Sequence, residues 1–331
     1  MKRTAMFAAG SMMLAAALAA LPAGAGAAEE KKVMLFNAPM TSNGEDVPAA
    51  ALSLGACLTG ASDPVGINGF GSCADQAEGD VPESGKVPGY LQLTDASTIN
   101  TGAAILNQAL PNEGGIEVTF AQYQYGGTGA DGISFFLVDG ETDLTEAGAF
   151  GGSLGYAQHG DLPGVDGAYL GLGLDAWGNF SADTEGRGNG CPEEYRAPEQ
   201  LQVPFNRAPD NVVLRGPGQG TEGYCLLAST ATDEVVGTAG DGELYGSPLA
   251  ASLRADTLDE SKRKVKLKVT EGTHPKVTVD IDFLDGDGWH RVLETEMPFE
   301  APDTFKIGFA ASTGGATDVH LIRHLRVETF E

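Results

Sequence analysis

Residues 167–181 read Gly-Ala-Tyr-Leu-Gly-Leu-Gly-Leu-Asp-Ala-Trp-Gly-Asn-Phe-Ser, an apolar stretch that runs directly into a polar loop. Tyr169 to Leu174 is a short run of apolar residues and glycines, which indicates a deeply buried strand. After this run, Asp175, Trp177 and Asn179 alternate along the chain. The stretch therefore predicts a core strand with a polar loop at its carboxyl end.

Similar short strands recur on both sides of this stretch, from residue 89 to the end of the chain. Some alternate apolar and polar residues, as half-buried strands do, and others are continuously apolar. The predicted strands are residues 116–120, 133–138, 169–174, 264–269, 277–281, 289–293, 305–309 and 319–327. No helical pattern lies between them, which argues against a parallel α/β fold and favours an all-β sandwich of antiparallel sheets.

The composition excludes several classes of protein. The chain has 331 residues, with 46 acidic and 20 basic side chains and a formal net charge of −26. Binding to a phosphate backbone depends on clustered Lys and Arg, so we expect no nucleic-acid partner. Glycine accounts for 47 residues without a Gly-X-Y period, which excludes collagen and favours many turns. Apolar residues are 42% of the chain, enough for a substantial core.

The amino-terminal residues have the pattern of an export signal. Residues 1–27 are predicted to be a signal peptide, because Lys2 and Arg3 precede an apolar stretch and residues 25–27 fit a small-residue cleavage site. No other stretch approaches the roughly 20 apolar residues of a membrane span. We therefore expect an exported protein without a membrane span, located in the periplasm, on the cell surface or outside the cell.

The rest of the chain divides at about residue 88. Residues 28–88 contain several prolines and two Asn-Gly pairs, which are turn signals. They are predicted to form an irregular N-terminal segment that packs on the sandwich. Residues 89–331 show no linker and are predicted to form one domain.

The four cysteines agree with export and allow three pairings. The pairs Cys57–Cys73 and Cys191–Cys225 are favoured because each closes a local, loop-rich segment. Closing a loop of about 15 residues contributes roughly 3 kcal/mol in the chain-entropy model. A metal site is the weaker alternative, since no C-x-x-C spacing is present.

The polar loop after Leu174 has the chemistry of a calcium site. Calcium takes about 6–8 oxygen ligands from carboxylates, amides and backbone carbonyls. Asp175, the carbonyl of Trp177 and the amide of Asn179 alternate, as ligands on one side of an extended loop must. An ordinary Asx-rich turn uses the same residue types, so the spacing alone leaves both interpretations open.

Four glycine-rich segments follow one another along the chain: GGTGADGISFFLVDG (126–140), GGSLGYA (151–157), GAYLGLGLDAWGNFS (167–181) and IGFAASTGG (307–315). In order and spacing they resemble the L-type (legume-like) lectins, and most closely the bacterial branch of that family. The resemblance extends from about residue 89 to the C-terminus. It implies a concanavalin A-like jelly-roll of two large antiparallel sheets, a fold that these lectins share with glucanases, and calcium-dependent carbohydrate binding.

The resemblance implies a sugar-binding role for Asp131, Gly152, Trp177, Asn179, Gly314 and Gly315. Asp131 follows Ala130 at the place where the family has a non-proline cis peptide bond; it would accept hydrogen bonds from two sugar hydroxyls, and Gly152 would donate its N–H. The NH₂ group of Asn179 would bind the sugar, and the ring of Trp177 would stack on the pyranose. Backbone donors of the last loop, residues 312–316, would select the sugar epimer.

The resemblance also implies a Ca²⁺ cofactor, held by Asp175, Trp177, Asn179 and either Asp183 or Glu185. Asp175 would be the main carboxylate ligand. Asp183 fits the spacing of legume lectins and is the preferred fourth residue, whereas Glu185 lies in what resembles a motif of the bacterial branch. Legume lectins carry a Glu two residues before the first calcium Asp, where this chain has Gly173, so no second metal is expected. The insertion at residues 191–204 has no clear counterpart in the family.

The sequence therefore predicts a secreted, calcium-dependent carbohydrate-binding protein that is not an enzyme and whose partners are glycans or glycoconjugates. Two alternatives are a glycoside hydrolase on the same fold and an adhesion module without sugar binding. A retaining hydrolase needs two carboxyl groups about 5–5.5 Å apart. The sequence spacing of Asp280, Asp282 and Asp285 resembles that of the carboxylate strand in jelly-roll glucanases, but those enzymes use Glu, and these residues lead straight into a Gly-rich hairpin turn. The oligomeric state is open, a homo-oligomer included.

Overall fold

The computed structural model describes residues 31–231 and 249–331, together with the backbone of two short strands between them. The predicted signal peptide lies outside the described residues. The strands are β1 (Lys32–Ala38), β2 (Ala51–Leu54), β3 (Cys57–Leu58), β4 (Leu91–Thr94), β5 (Thr101–Pro111), β6 (Ile116–Tyr125), β7 (Gly132–Asp139), β8 (Ala168–Asp175), β9 (Asn211–Arg215), β10 (Gly218–Gln219), β11 (Glu222–Gly223), β12 (Leu226–Ser229), β13 (Val235–Ala239), β14 (Gly242–Tyr245), β15 (Arg263–Val269), β16 (Lys276–Asp282), β17 (Trp289–Glu296), β18 (Thr304–Ser312) and β19 (Val319–Phe330). Short 3₁₀ helices lie at Gly151–Ser153, Glu193–Tyr195 and Glu199–Gln202. All eight strands predicted from the sequence are confirmed.

Two antiparallel sheets contain nearly all of these strands. The back sheet has the order β17-β16-β15-β6-β19-β4-β3, and β1 pairs with the carboxyl-terminal half of β19. The front sheet has the order β11-β10-β8-β7-β18-β5-β2, and β9 pairs with both β8 and β12. The two sheets confirm the predicted all-β jelly-roll sandwich.

Alternating side chains of both sheets form the core between them. On β7, Phe135 faces inward with its neighbours at every second position, and its ring centroid lies 5.8 Å from that of Phe120 and 5.2 Å from that of Phe309. Successive side chains of a strand point to opposite faces. The residues between them on β7 therefore face the outer side of the front sheet.

A second apolar layer covers that outer side and carries the loops of the site. It includes the buried rings of Tyr156, Phe180 and Tyr224. Gly171 and Gly173 of β8 leave room for two of these rings, because an added Cβ would lie 2.3 Å from Tyr156 and 2.3 Å from Phe180, respectively. The glycines that interrupt the leucine run therefore let the loops pack directly on the sheet.

The N-terminal segment differs from its prediction, since residues 28–88 contain three strands rather than only irregular structure. β1 pairs with β19, β2 with β5, and β3 with β4, so the segment extends both sheets. β2 and β3 are short, and each of the three strands is stabilised by pairing with a strand of the region that follows residue 88. Residues 32–331 form one compact unit.

The disulfide prediction is confirmed, with Cys57 joined to Cys73 and Cys191 to Cys225 at Cα–Cα distances of 5.2 and 5.6 Å. The two bridges close segments of 16 and 34 residues. Within the described ranges, no helix is long and apolar enough to cross a membrane.

Candidate functional site

Three neighbouring strands of the front sheet bring the predicted site residues to one end of the sandwich. β7 lies between β8 and β18, and the register pairs Ile133 with Leu174 and Gly132 with Ser312. Asp131 precedes β7 and Asp175 ends β8. Both aspartates therefore lie at the same end of the sheet as Ser312.

Asp131 is held from several sides. Its peptide bond to Ala130 is cis, as predicted. Its backbone N–H donates to the carbonyl of Ser312 at 2.7 Å, and its own carbonyl accepts from the N–H of Trp177 at 2.8 Å. The Ser312 hydroxyl donates to Oδ2 at 3.0 Å. An added Cβ on Gly314 would lie 3.8 Å from Oδ1, so the second oxygen faces the last loop.

The electrostatics of Asp131 follow from its burial, since only 7% of the residue is exposed. Burial raises the pKa of Asp131 to about 6; the Ser312 hydrogen bond opposes this rise, nearby Glu185 adds to it, and Arg187 opposes it. At neutral pH the carboxylate is ionised and accepts hydrogen bonds without donating any.

Asp175 shapes the polar loop from within. Its side chain is fully buried, and Oδ1 accepts from the N–H of Gly178 at 2.8 Å while Oδ2 accepts from that of Phe180 at 2.6 Å. Burial raises the pKa of Asp175 to about 7; the two N–H groups oppose the rise, and the charge of Asp131 adds to it. Asp175 therefore bonds the backbone of its own loop three and five residues on, not two residues on as in an Asx turn.

Gly152 and Asn179 lie against each other. An added Cβ on Gly152 would lie 2.4 Å from Cβ of Asn179 and 2.8 Å from its Nδ2, so only glycine permits this approach. Gly152 is in the first turn of a 3₁₀ helix, where N–H groups lack partners within the helix. The Asn179 amide makes no hydrogen bond to another described residue. The Ser312 hydroxyl lies 3.0 Å from the carbonyl of Gly151, which brings this pair beside Asp131.

The last loop is anchored at its base and open at its tip. The Thr313 hydroxyl accepts from the N–H of Asn100 at 2.9 Å, and the carbonyl of Gly314 accepts from the N–H of Ile99 at 3.1 Å. The N–H of Gly314, a predicted sugar donor, is bonded to the carbonyl of Ala316 at 3.1 Å. An added Cβ on Gly315 would meet no atom within 4 Å, so this glycine faces open space.

A pocket of about 390 Å³ adjoins the site; its lining residues are Trp177, Asn179, Asp183, Thr184, Glu185, Gln202, Pro204, Phe205, Asn206 and Arg207. The guanidinium of Arg207 covers one face of the Trp177 ring, 3.7 Å from its centroid. Its Nη1 also donates to the carbonyl of Trp177 at 3.0 Å. The Phe205 side chain is exposed at the rim. The pocket therefore combines aromatic surface with polar groups.

Asp183, the preferred fourth calcium residue, is bound by two arginines. Oδ2 accepts from Nε of Arg196 at 2.9 Å and from the N–H of Ala197 at 2.8 Å. Oδ1 accepts from Nη2 of Arg215 at 3.0 Å. The side chain of Asp183 is fully buried, and the guanidinium groups of Arg196 and Arg215 balance its negative charge.

Glu185, the other candidate, is more open. Its carboxylate is 43% exposed and accepts from Nη2 of the buried Arg187 at 2.8 Å. The ring of His159 lies 3.9 Å away, at the edge of the site.

The residues of this loop do not fit a calcium ion in the arrangement described. The carbonyl of Trp177 and the carboxylates of Asp183 and Glu185 bind arginines, and Asp175 accepts two backbone N–H groups. Among the described residues, no group of three or more His, Cys, Asp or Glu side chains is placed to hold a metal. Of the predicted ligands, only the amide of Asn179 and Oε1 of Glu185 keep an oxygen without a hydrogen bond to another described residue, fewer than the roughly 6–8 oxygens that calcium takes.

Sequence reasoning missed the arginines of this site, which are Arg187, Arg196, Arg207 and Arg215. The clearest available signal was Arg215, which ends the apolar run of β9 and is fully buried. Charged residues are almost never fully buried unless paired. A buried arginine therefore predicts an acidic partner, but the sequence does not say which one.

No protein-family profile and no curated protein matches the sequence. Many solved structures are similar in fold, and three of them serve as examples. The Ca²⁺-bound exoplasmic/lumenal domain of VIP36 is 14% identical, with coverage of 90% of this chain and 90% of that one and a TM-score of 0.47. Peanut lectin with a 9-residue peptide is 17% identical, with coverage of 91% and 99% and a TM-score of 0.44. The legume lectin-like domain from Entamoeba histolytica is 11% identical, with coverage of 90% and 99% and a TM-score of 0.47.

These structural neighbours are legume-type lectins. Similarity at this level of identity and TM-score assigns neither a family nor a ligand to this chain. Its function therefore has to be argued from the site itself.

Proposed function

We propose that this chain is an exported, non-catalytic carbohydrate-binding protein. The observation that carries the proposal is the meeting of Asp131, Gly152 and Asn179 at one end of the front sheet, beside a pocket of about 390 Å³. The two disulfides support export, because such bonds persist in oxidising compartments.

The three residues offer the mixture of groups that a sugar needs. Asp131 provides carboxylate acceptors, Asn179 provides an amide without a partner among the described residues, and Gly152 provides a backbone N–H. A pyranose presents adjacent hydroxyls, each of which both donates and accepts. The aromatic surface of Trp177 and Phe205 next to these groups would contact the apolar face of the ring.

The hydrolase alternative finds no support at its own candidate residues. Asp280 forms ion pairs with Lys266 at 3.3 Å and with Arg291 at 2.6 Å. Burial tends to raise the pKa of Asp282, but the hydrogen bond from Lys264, the N–H of Leu284 and the nearby positive charges together hold that pKa below its ordinary value. A general acid needs a raised pKa, so Asp282 is unsuited to the role, and Asp280 is occupied by its two ion pairs.

Calcium enters this proposal only as an expectation from the resemblance. Its predicted ligands are Asp175, Trp177, Asn179 and Asp183 or Glu185. In the structure, arginines bind three of these residues, namely Trp177, Asp183 and Glu185. The sugar site itself is proposed on Asp131, Gly152 and Asn179, whether or not a metal is bound. A calcium titration, set out below, decides between the two arrangements.

Glycan-array binding followed by titration of the best ligand tests the proposal. Asp131→Asn replaces one acceptor oxygen by donors, and a hydrogen bond to a charged group contributes about 1.5–3 kcal/mol, so the affinity should fall roughly 10–150-fold. Asp303→Asn is the matched control, because Asp303 is exposed next to the opposite end of β18 from Ser312. Equal affinity of Asp131→Asn and the control would contradict the site. If no glycan binds at all, the adhesion module without sugar binding is the better hypothesis.

A further inference from the structure

Four arginines surround the loop in which the resemblance places calcium: Arg187, Arg196, Arg207 and Arg215. The side chains of Arg187 and Arg215 are fully buried. Four carboxyl groups lie in the same region: Asp131, Asp175, Asp183 and Glu185. The region therefore holds as many guanidinium groups as carboxyl groups without a metal ion.

Arg215 ties the loop to β9. Its guanidinium donates to the carbonyls of Phe180 at 2.8 Å, of Ala182 at 3.0 Å and of Tyr224 at 2.8 Å. It also donates to the Asp183 carboxylate at 3.0 Å. Three backbone carbonyl oxygens and one carboxylate oxygen thus converge on the buried guanidinium of Arg215. Calcium is bound by the same kinds of oxygen atom. All of these bonds are charge-assisted and fixed by the planar fork of the guanidinium.

Arg207 acts on the other side of the loop. It donates to the carbonyl of Trp177 at 3.0 Å and stacks on the ring of the same residue at 3.7 Å. One side chain therefore fixes both the backbone and the ring of Trp177, and Trp177 lines the pocket next to Asn179.

A calcium ion in this loop would have to displace these contacts. Binding to Asp183 would break its ion pairs with Arg196 and Arg215, and the buried guanidinium would be left beside a divalent cation. Removing the partner of a buried charge is strongly unfavourable. The arginine arrangement and a calcium ion thus exclude each other.

We propose that Arg207 and Arg215 act as positioning residues that take the place of calcium, so that the sugar site is assembled without a metal ion. The statement about sugar rests on the proposed function. The statement that the loop binds no calcium does not, and it has a readout of its own.

Calcium titration of the purified protein, by calorimetry and by thermal unfolding in calcium and in chelator, tests the metal-free loop. We expect no binding heat and the same unfolding midpoint in both buffers. A specific site at about 100-fold saturation would raise the midpoint by roughly 5 °C, and such a rise would overturn the proposal. Glycan binding that appears only in calcium would overturn it as well. If no glycan binds in either buffer and the midpoints agree, the proposed function fails while the metal-free loop stands.

Variants of Arg207 test its role separately. Arg207→Ala removes the donor to the Trp177 carbonyl and should lower glycan affinity in chelator by about tenfold, the size of one charge-assisted hydrogen bond. Arg207→Lys keeps the charge and one donor, so it should retain most of the affinity. Arg291→Ala, at an arginine on β17 of the back sheet, is the control and should bind as the wild type does. Wild-type affinity of a folded Arg207→Ala variant would remove Arg207 from the proposal.

Discussion

Ser312 is the residue that links the separate parts of the site. Its hydroxyl donates to Asp131 at 3.0 Å and lies 3.0 Å from the carbonyl of Gly151, while its carbonyl accepts the N–H of Asp131. The three segments that carry Asp131, Gly152 and the last loop therefore share one fully buried polar side chain. Its burial makes the hydrogen bond from its hydroxyl to Asp131 stronger than it would be in water.

A second buried polar residue, His320 on β19, gives a prediction about pH. Its Nδ1 lies 2.6 Å from the Thr94 hydroxyl. Burial lowers the pKa of His320 from 6.5 to about 4, with Asp318 opposing and Arg254 adding to the effect. Between these values the unfolded chain binds a proton that the folded chain does not, so acid favours unfolding. Protonation of His320 in the unfolded chain should therefore lower the free energy of unfolding by about 3 kcal/mol as the pH falls from 6.5 to 4.

Denaturant unfolding at pH about 7 and about 4.5 measures this contribution. His320→Gln should lose about 2–3 kcal/mol less than the wild type over that interval, because the other titrating groups are common to both proteins. His274→Gln, at an exposed turn, is the control and should follow the wild type. Parallel losses in all three proteins would show that His320 is protonated as readily in the folded state as in the unfolded one.

The position of a residue relative to the others could be predicted where a short motif in the backbone fixes it. It could not be predicted where a partner far away in the sequence fixes it. Asp131, Gly152 and Asn179 lie in short motifs next to strands, and the structure brings them together. The pairing of Asp183 with Arg215 joins residues 32 positions apart and depends on how β9 packs beside β8. Local spacing contains no information about such a pair.

The insertion at residues 191–204 is the element that most affects the site. It supplies Arg196 and the N–H of Ala197 to Asp183, and the carbonyl of Leu201 accepts the N–H of Asp183 at 2.9 Å. Leu201 is fully buried in the layer outside the front sheet. The segment for which we expected no family counterpart is therefore part of the structure that holds the polar loop.

The Cys191–Cys225 disulfide fastens this insertion, which gives a second prediction. It closes a segment of 34 residues, and its removal in a Cys191→Ser, Cys225→Ser variant should lower the free energy of unfolding by about 4 kcal/mol. Glycan affinity should fall too, because the insertion holds Asp183. The matched control, Cys57→Ser with Cys73→Ser, opens a segment of 16 residues and should cost about 3 kcal/mol without loss of affinity. Unfolding in urea and glycan titration measure both. If the two variants bind glycan with equal affinity, the segment 191–204 does not contribute to glycan binding and this prediction is wrong.

Elements differ in how well their own residues specify them. The strands from residue 116 onward that alternate or are continuously apolar were predicted because each contains its own pattern. β1, β2 and β3 were missed because they lie in a segment of prolines and turn signals and are defined by the strands that they join. β9 was also missed, since it ends in a charged residue whose burial only the packed loops explain.

At the scale of the whole molecule, the sandwich was predictable because two periodic patterns and the absence of helical periods leave few architectures. The order of strands was not, since the long-range register decides which strand ends share an edge. That register places the start of β7 beside the ends of β8 and β18 and so forms the candidate site.

The central claim is that a sugar binds at Asp131, and a crystal structure of the protein with its best array ligand tests it most directly. The account predicts pyranose hydroxyls about 2.6–3.2 Å from the Asp131 carboxylate and from Nδ2 of Asn179, with the guanidinium of Arg207 still over Trp177. A glycan bound elsewhere, for example beside the exposed Trp289 on the back sheet, with Asp131 untouched, would contradict it.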